Sequence, residues 1–171
     1  MSNTLLRDAV RMTMLRDLES LEREIDAYPD DESVWLTPPG INNSAGNLVL
    51  HLAGNLRHFV GATLGQTGYV RNRDAEFNDR GLSREELLAE VRAAVTDVDK
   101  TLAGLDDAQL GSVFPLPVGQ SQKRVLTSDW LVHLAVHLTY HLGQIDYHRR
   151  LLTAVASPVD TVSVKDIPEQ G

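Results

Sequence analysis

Residues 129–152 read DWLVHLAVHLTYHLGQIDYHRRLL, and the period of this stretch decides the fold. Leu134, Leu138, Leu142 and Ile145 recur at spacings of four, four and three, the signature of a helix with one apolar face. A helix from about Trp130 to Ala154 is expected, capped by Thr127, Ser128 or Asp129. Beside the leucine stripe stand His133, His137, His141 and His148, spaced four, four and seven residues apart, on one helical face with Tyr140 and Gln144. The chain holds six histidines in 171 residues, so an even spread would put fewer than one in this 16-residue window; it holds four. The histidines therefore border a bundle interior rather than scatter over a surface.

Three more segments carry the same period. From Thr4 to Ala27, Met14, Leu18, Leu21 and Ile25 form the stripe, while Asp17, Glu19, Glu22, Arg23 and Glu24 mostly occupy the wet side. Pro29 ends that helix by disfavouring helical geometry at Tyr28. Asp30 to Asn43 reads as loop, with Trp35 and Leu36 tucked onto the bundle. Ser44 opens a second helix to about Leu64, with Leu48, Leu52, Leu56, Phe59 and Thr63 inward, and residues 65–78 form a polar connection. Ser83-Arg84-Glu85-Glu86 is a capping box that opens a third helix. Its stripe is Leu87, Val91, Ala94, Val98, Leu102 and Leu105, and Asp106-Asp107 closes it. Residues 111–126 hold two prolines and two glycines and predict a short hairpin or an extended crossing loop. The sum is an all-α four-helix bundle with long connecting loops: one domain over residues 1–156 and a C-terminal tail over 157–171. Connections of this length exceed what up-and-down hairpins need, and long loops in a compact domain tend to be functional.

Composition narrows the chemistry. A chain of 171 residues can bury a core without staples. With 24 acidic against 16 basic residues the formal charge is -8, which argues against a nucleic-acid partner, because an acidic surface repels phosphate. No apolar run reaches the roughly 18 to 20 residues of a membrane span, and the first residues lack a signal-peptide core, so a cytoplasmic protein is expected. There is no cysteine, hence no disulfide, no thiolate nucleophile and no cysteine metal site. Any metal must be held by His, Asp or Glu.

A lone histidine on such a face is usually a hydrogen-bonded core-edge residue. A pair at i, i+4 is different: its Cβ atoms lie about 5–6 Å apart, which lets both rings meet one ion at roughly 2.0–2.1 Å. The third ligand must come from another helix. In NLVLHLAGNLRHFVGATLG (residues 47–65), His51 flanks the apolar stripe, and Asn55 and His58 extend the same flank. His51 with two histidines of the last helix gives three neutral nitrogens and open coordination positions, which suits a catalytic ion better than a closed structural one. Spacing alone leaves both His133 with His137 and His137 with His141 eligible. A metalloprotease of the H-E-x-x-H type is disfavoured, because Leu138, Thr139 and Tyr140 fill the interval between His137 and His141 and none is a carboxylate.

The stretches HLAGNLRHFVGATLG (51–65) and LVHLAVHLTYHLGQI (131–145) resemble the DinB/YfiT-like superfamily of four-helix-bundle metalloenzymes, and the likeness spans nearly the whole chain. The family pattern of one helix-two His, then H-x-x-x-H followed by Gly-Gln, falls on His51, His137, His141, Gly143 and Gln144. Where the family usually has a basic residue after the last His, this chain has Leu142. The resemblance implies His51, His137 and His141 as ligands of a divalent transition ion, commonly nickel or zinc. It also implies a metal-dependent enzyme on a small-molecule substrate: a transferase with a low-molecular-weight thiol cosubstrate such as bacillithiol or mycothiol, or a hydrolase. A homodimer is implied as well, with the apolar run Val159 to Val164 a candidate contributor. Asn55, Tyr140 and Gln144 are candidates to orient a ligand or line the pocket; His133 and His58 are read first as packing residues, with the same pocket role as their alternative. His148, followed by Arg149-Arg150, is read as structural, its neighbours complementing the helix dipole. The alternative is a non-catalytic bundle that binds a metal or a small ligand.

Overall fold

The computed structural model describes residues 4–155 and 159. Six helices follow in order: α1 (Thr4–Asp26), α2 (Ala45–Leu56), α3 (Arg73–Asn78), α4 (Arg84–Gly104), α5 (Asp107–Gly111) and α6 (Thr127–Thr153). Among the described residues there is no strand, only isolated antiparallel bridges at Val113–Leu126 and Val118–Lys123 that close residues 111–126 into a hairpin-like crossing. The expected tail, with the run Val159 to Val164, lies outside the described residues apart from Val159. No helix among them is long and apolar enough to cross a membrane.

The four long helices α1, α2, α4 and α6 make the bundle. Met14, Leu18, Leu21 and Ile25 of α1 meet Leu52 and Leu56 of α2, Val91, Ala94, Val98 and Leu102 of α4, and Leu134, Leu138, Leu142 and Ile145 of α6 in one core. Helices α1 and α2 each pack on both α4 and α6, so α1 and α2 lie diagonally opposite. Side-chain pairs give the directions. Arg11 with Asp99 and Arg92 with Glu22 run α1 and α4 antiparallel, whereas Asp17 with Thr139 and Glu24 with Arg149 run α1 and α6 parallel. The pairing of Arg57 with Glu90 and the approach of Gly65 to Thr101 make α2 parallel to α4. Parallel neighbours in a bundle need a long return connection. That geometry is why residues 63–83 form a crossing segment rather than a tight turn, and this segment carries α3 to the side of α2.

Several expectations are corrected in detail. Helix α2 ends at Leu56 and continues as a π-turn over Arg57–Ala62, where Thr63 N–H donates to His58 O at 3.0 Å. The extra residue in that turn rotates the inward face, so Val60 is fully buried while Phe59 and Thr63 are only partly so. Helix α6 has Leu126 at its N-cap and no side-chain cap; the Thr127 hydroxyl donates instead to Ser112 O across the crossing loop at 3.1 Å. Asp106 does not merely close α4, since with Gln109 it forms a capping box for α5. The Ser83–Glu86 box stands as read. Trp35 packs over Gly46, whereas Leu36 is half exposed. Asp17 and Glu24, assigned to solvent, are wholly buried, because α1 is flanked by two helices and its inward arc is wide.

Candidate metal centre

The apolar stripe of α2 sets His51 on the α6 side, and the leucine stripe of α6 holds His137 and His141 one turn apart against it. One nitrogen from each of His51, His137 and His141 lies within 4.8 Å of the others. The Nε2 atoms of His51 and His137 are 3.3 Å apart, and the ring centroids of His137 and His141 are 4.5 Å apart. Two nitrogens bound tetrahedrally at roughly 2.0–2.1 Å would stand about 3.3–3.4 Å apart, so the observed spacing fits a shared ion. The donor chemistry fits too: three imidazoles and no thiolate suit a borderline divalent cation.

Burial and the neighbouring imidazoles of His141, His51 and His133, with the Arg71 guanidinium, push His137 down to about 4. Burial also lowers His141, against the hydrogen bond to Gln144 that raises it. Both rings are therefore neutral at physiological pH and keep a lone pair for a cation.

Two outer partners fix which nitrogens face inward. Glu76 Oε2 accepts from His51 Nδ1–H at 2.9 Å, which leaves His51 Nε2 as the free lone pair. Gln144 Oε1 accepts from His141 Nδ1–H at 2.6 Å in the same manner. Glu76 is itself gripped by Arg71 through Nε at 2.6 Å and Nη2 at 2.8 Å. Burial would raise the Glu76 carboxyl, but the hydrogen bonds from Arg71 and His51 outweigh it and hold the group below its ordinary value. The fold makes room for this carboxylate at one place: a Cβ on Gly54 would sit 2.4 Å from Glu76 Oε1. Buried Asn47 anchors α3 by donating to Glu76 O at 2.9 Å and Asp79 O at 3.2 Å.

The other expected site residues are placed unevenly. His133 stacks between Trp130, at 4.7 Å, and His137, at 6.2 Å, and borders the cluster without joining it. His58 sits on the π-turn edge-on to Phe59 at 4.7 Å, and burial lowers it, with Arg71 adding to the shift. Asn55 is buried one turn beyond His51, its Oδ1 without a hydrogen-bond partner. Tyr140 is 63% exposed and meets His141 edge-on at 5.3 Å, so most of its ring faces outward. The dipole reading of the helix end holds for Arg150 but not for Arg149, which is 1% exposed and paired with buried Glu24 at 2.5 Å.

Sequence reading missed Glu76, Arg71 and Gly54. The start of α3 was legible, with Asn72 as cap and Asp74 and Glu76 in the first turn. Six residues, however, are too few to show a period, and nothing local couples Glu76 to a histidine 25 positions earlier.

The sequence profile of the DinB superfamily matches residues 7–145. Among solved structures, the crystal structure of a DinB-like protein from Bacillus cereus ATCC 10987 is similar at a TM-score of 0.61 and 17% identity, over 79% of this chain and 85% of that one. That likeness bears on the fold. No curated protein matches the chain.

Proposed function

We propose, from the premise that the chain belongs to the DinB superfamily, that His51, His137 and His141 hold one divalent transition ion, nickel or zinc, at the site of a metal-dependent enzyme. The observation that carries this reading is the convergence of three imidazole nitrogens from two helices, within 4.8 Å, with two of the rings oriented by Glu76 and Gln144. When bound, an ion in such a site acidifies a water or a thiol at its open positions. The protein's part is to keep His137 and His141 neutral and to fix the tautomers of His51 and His141 through Glu76 and Gln144.

The absence of cysteine leaves any reacting sulfur to a cosubstrate, so the reaction we favour is thiol-dependent transfer, with hydrolysis as the second arm. The reading includes a cytoplasmic homodimer acting on a small molecule; the exposed Val132, Val136 and Tyr140 along the outside of α6 support self-association.

The test is metal analysis of protein purified without a histidine tag, calorimetric titration with nickel and zinc, then a conjugation screen of thiols against electrophiles such as monochlorobimane. One ion per chain with turnover supports the enzyme. One ion per chain without turnover on any thiol or ester supports the alternative, a non-catalytic metal- or ligand-binding bundle. An unaltered metal content in His137→Ala would reject both.

A further inference from the structure

We infer that the groove between the loop at residues 40–43, with Leu48 of α2, and the C-terminal half of α6 receives the uncharged, partly apolar tail of the substrate whose head meets the three imidazoles. The inference rests on the metal-site reading and adds the class of molecule. A cavity of about 410 Å³ lies here, its walls including Asn42, Asn43, Leu48, Gln144, His148 and Leu151. That size falls within the range of small-molecule sites.

Its position relative to the imidazoles follows from helix geometry. Leu48 stands three residues before His51, and Gln144 three residues after His141, on helices that run antiparallel. Both walls are thus displaced by about one helical turn, roughly 4.5 Å, in the same direction from the cluster. Gln144 belongs to both places: its Oε1 accepts from His141 Nδ1–H at 2.6 Å, while its amide nitrogen has no protein acceptor among the described residues.

The lining defines the tail. None of the lining side chains is Asp, Glu, Lys or Arg. His148 contributes a ring wall and no free donor, since its Nε2–H donates to Leu36 O at 2.9 Å and its Nδ1 accepts from the Tyr28 hydroxyl at 2.7 Å. The carboxamides of Asn42 and Asn43 make no side-chain hydrogen bond among the described residues and remain open to a carbonyl or hydroxyl of the ligand. Leu48 is buried, whereas Leu151 at 66% and Tyr147 at 75% exposure leave an apolar rim uncovered. A charged tail would exchange its hydration for amides and hydrocarbon with no counter-ion, which is costly.

The cobalt-loaded full-length protein tests this with hydroxamic acids, whose head group binds divalent ions directly. Acetohydroxamic acid, N-hydroxyoctanamide and the monohydroxamate of suberic acid are titrated by the visible cobalt spectrum and by calorimetry. N-hydroxyoctanamide should bind at least about tenfold tighter than acetohydroxamic acid through its added buried methylenes. The carboxylate-ended chain should lose that gain. Leu151→Asp and Tyr147→Glu, both at exposed positions that a folded chain tolerates, should abolish the gain and leave acetohydroxamic acid binding unchanged. Equal binding of the short and long neutral hydroxamates, or a gain that survives both rim variants, overturns the tail site alone. Failure of the protein to hold cobalt, or of acetohydroxamic acid to perturb its spectrum, overturns the metal reading and the tail site with it.

Discussion

His141 and His148 stand two turns apart on the same helix, both with nitrogens turned toward neighbouring elements, yet their surroundings differ in kind. Each nitrogen of His148 has a protein partner: Tyr28 on one side and Leu36 O on the other. Directly behind it Arg149 meets Glu24 and Asp146, so the buried cation at the lower end of the bundle is paired within the chain. At His141 one nitrogen is held by Gln144 and the other faces only His51 and His137, which offer more lone pairs. A buried polar group without a partner is costly and is kept where something outside the chain completes it. The comparison separates a histidine satisfied within the fold from histidines whose nitrogens converge on one another, although helical spacing presents them alike.

The sharpest way to break that distinction is to remove the buried cation. Arg149→Met leaves Glu24 buried without its cation, and burial already pushes the Glu24 carboxyl upward. Urea unfolding should show a loss of about 3–5 kcal/mol, while the double variant Glu24→Leu, Arg149→Met should recover much of it. Metal stoichiometry of the folded fraction should not change. A parallel loss of metal would mean that the two ends are one unit.

At the open end the outcomes should reverse. His137→Ala should weaken zinc or nickel binding by more than the roughly 10–100-fold that removal of an outer partner costs, with little change in the unfolding midpoint of the metal-free protein. Glu76→Gln and Gly54→Ala should each fall within that 10–100-fold range, the first by replacing the charged carboxylate with a neutral amide whose single acceptor oxygen must serve both His51 and Arg71, the second by driving a methyl group into the carboxylate. A competition assay with a chromophoric chelator reads both. If Gly54→Ala binds metal as the wild type does, Glu76 is not a positioning residue.

Much of this contrast was readable in the sequence, and the reason is periodicity. The leucine stripe of α6, the capping box at Ser83 and the core of α4 are local patterns repeated over several turns, and they appear where the pattern placed them. The convergence of His51, His137 and His141 was likewise accessible, because each is fixed to a long helix whose apolar face sets its direction. What escaped depends on pairs distant in sequence. Glu24 looked like a solvent residue until Arg149 arrived from the other end of the chain, 125 positions away. Glu76 lay in a polar connection whose purpose follows from the parallel run of α2 and α4, a topological fact that no window of residues contains. The π-turn left Phe59 and Thr63 only partly buried where a uniform helix would have turned both inward, although Phe59 still packs against the core.

Acid should affect the two ends in the same direction but through different groups. His137 is held down to about 4 in the folded chain against an ordinary value of 6.5, so the unfolded chain takes up its proton first. Stability of the metal-free protein should therefore be fully present above about pH 6.5 and decline as pH falls toward about 4, with His148, lowered by burial, adding to the slope. His137→Ala should flatten the decline without abolishing it. A pH-independent stability over that window would show that the rings are solvated and not buried.

The smallest effect is the most discriminating for the helical-wheel reading. Tyr140 shares a face with the histidines by spacing, but it is 63% exposed and meets the cluster edge-on at His141. Tyr140→Ala should change unfolding free energy by no more than about 0.5 kcal/mol and leave metal affinity within twofold or so, as for a surface substitution. Loss of a dimer in light scattering with metal binding intact would assign Tyr140 to self-association through the outside of α6. A tenfold loss of metal affinity would instead place its hydroxyl or ring at the ion, and the inward face of α6 would have to be widened by one residue on the side now given to solvent.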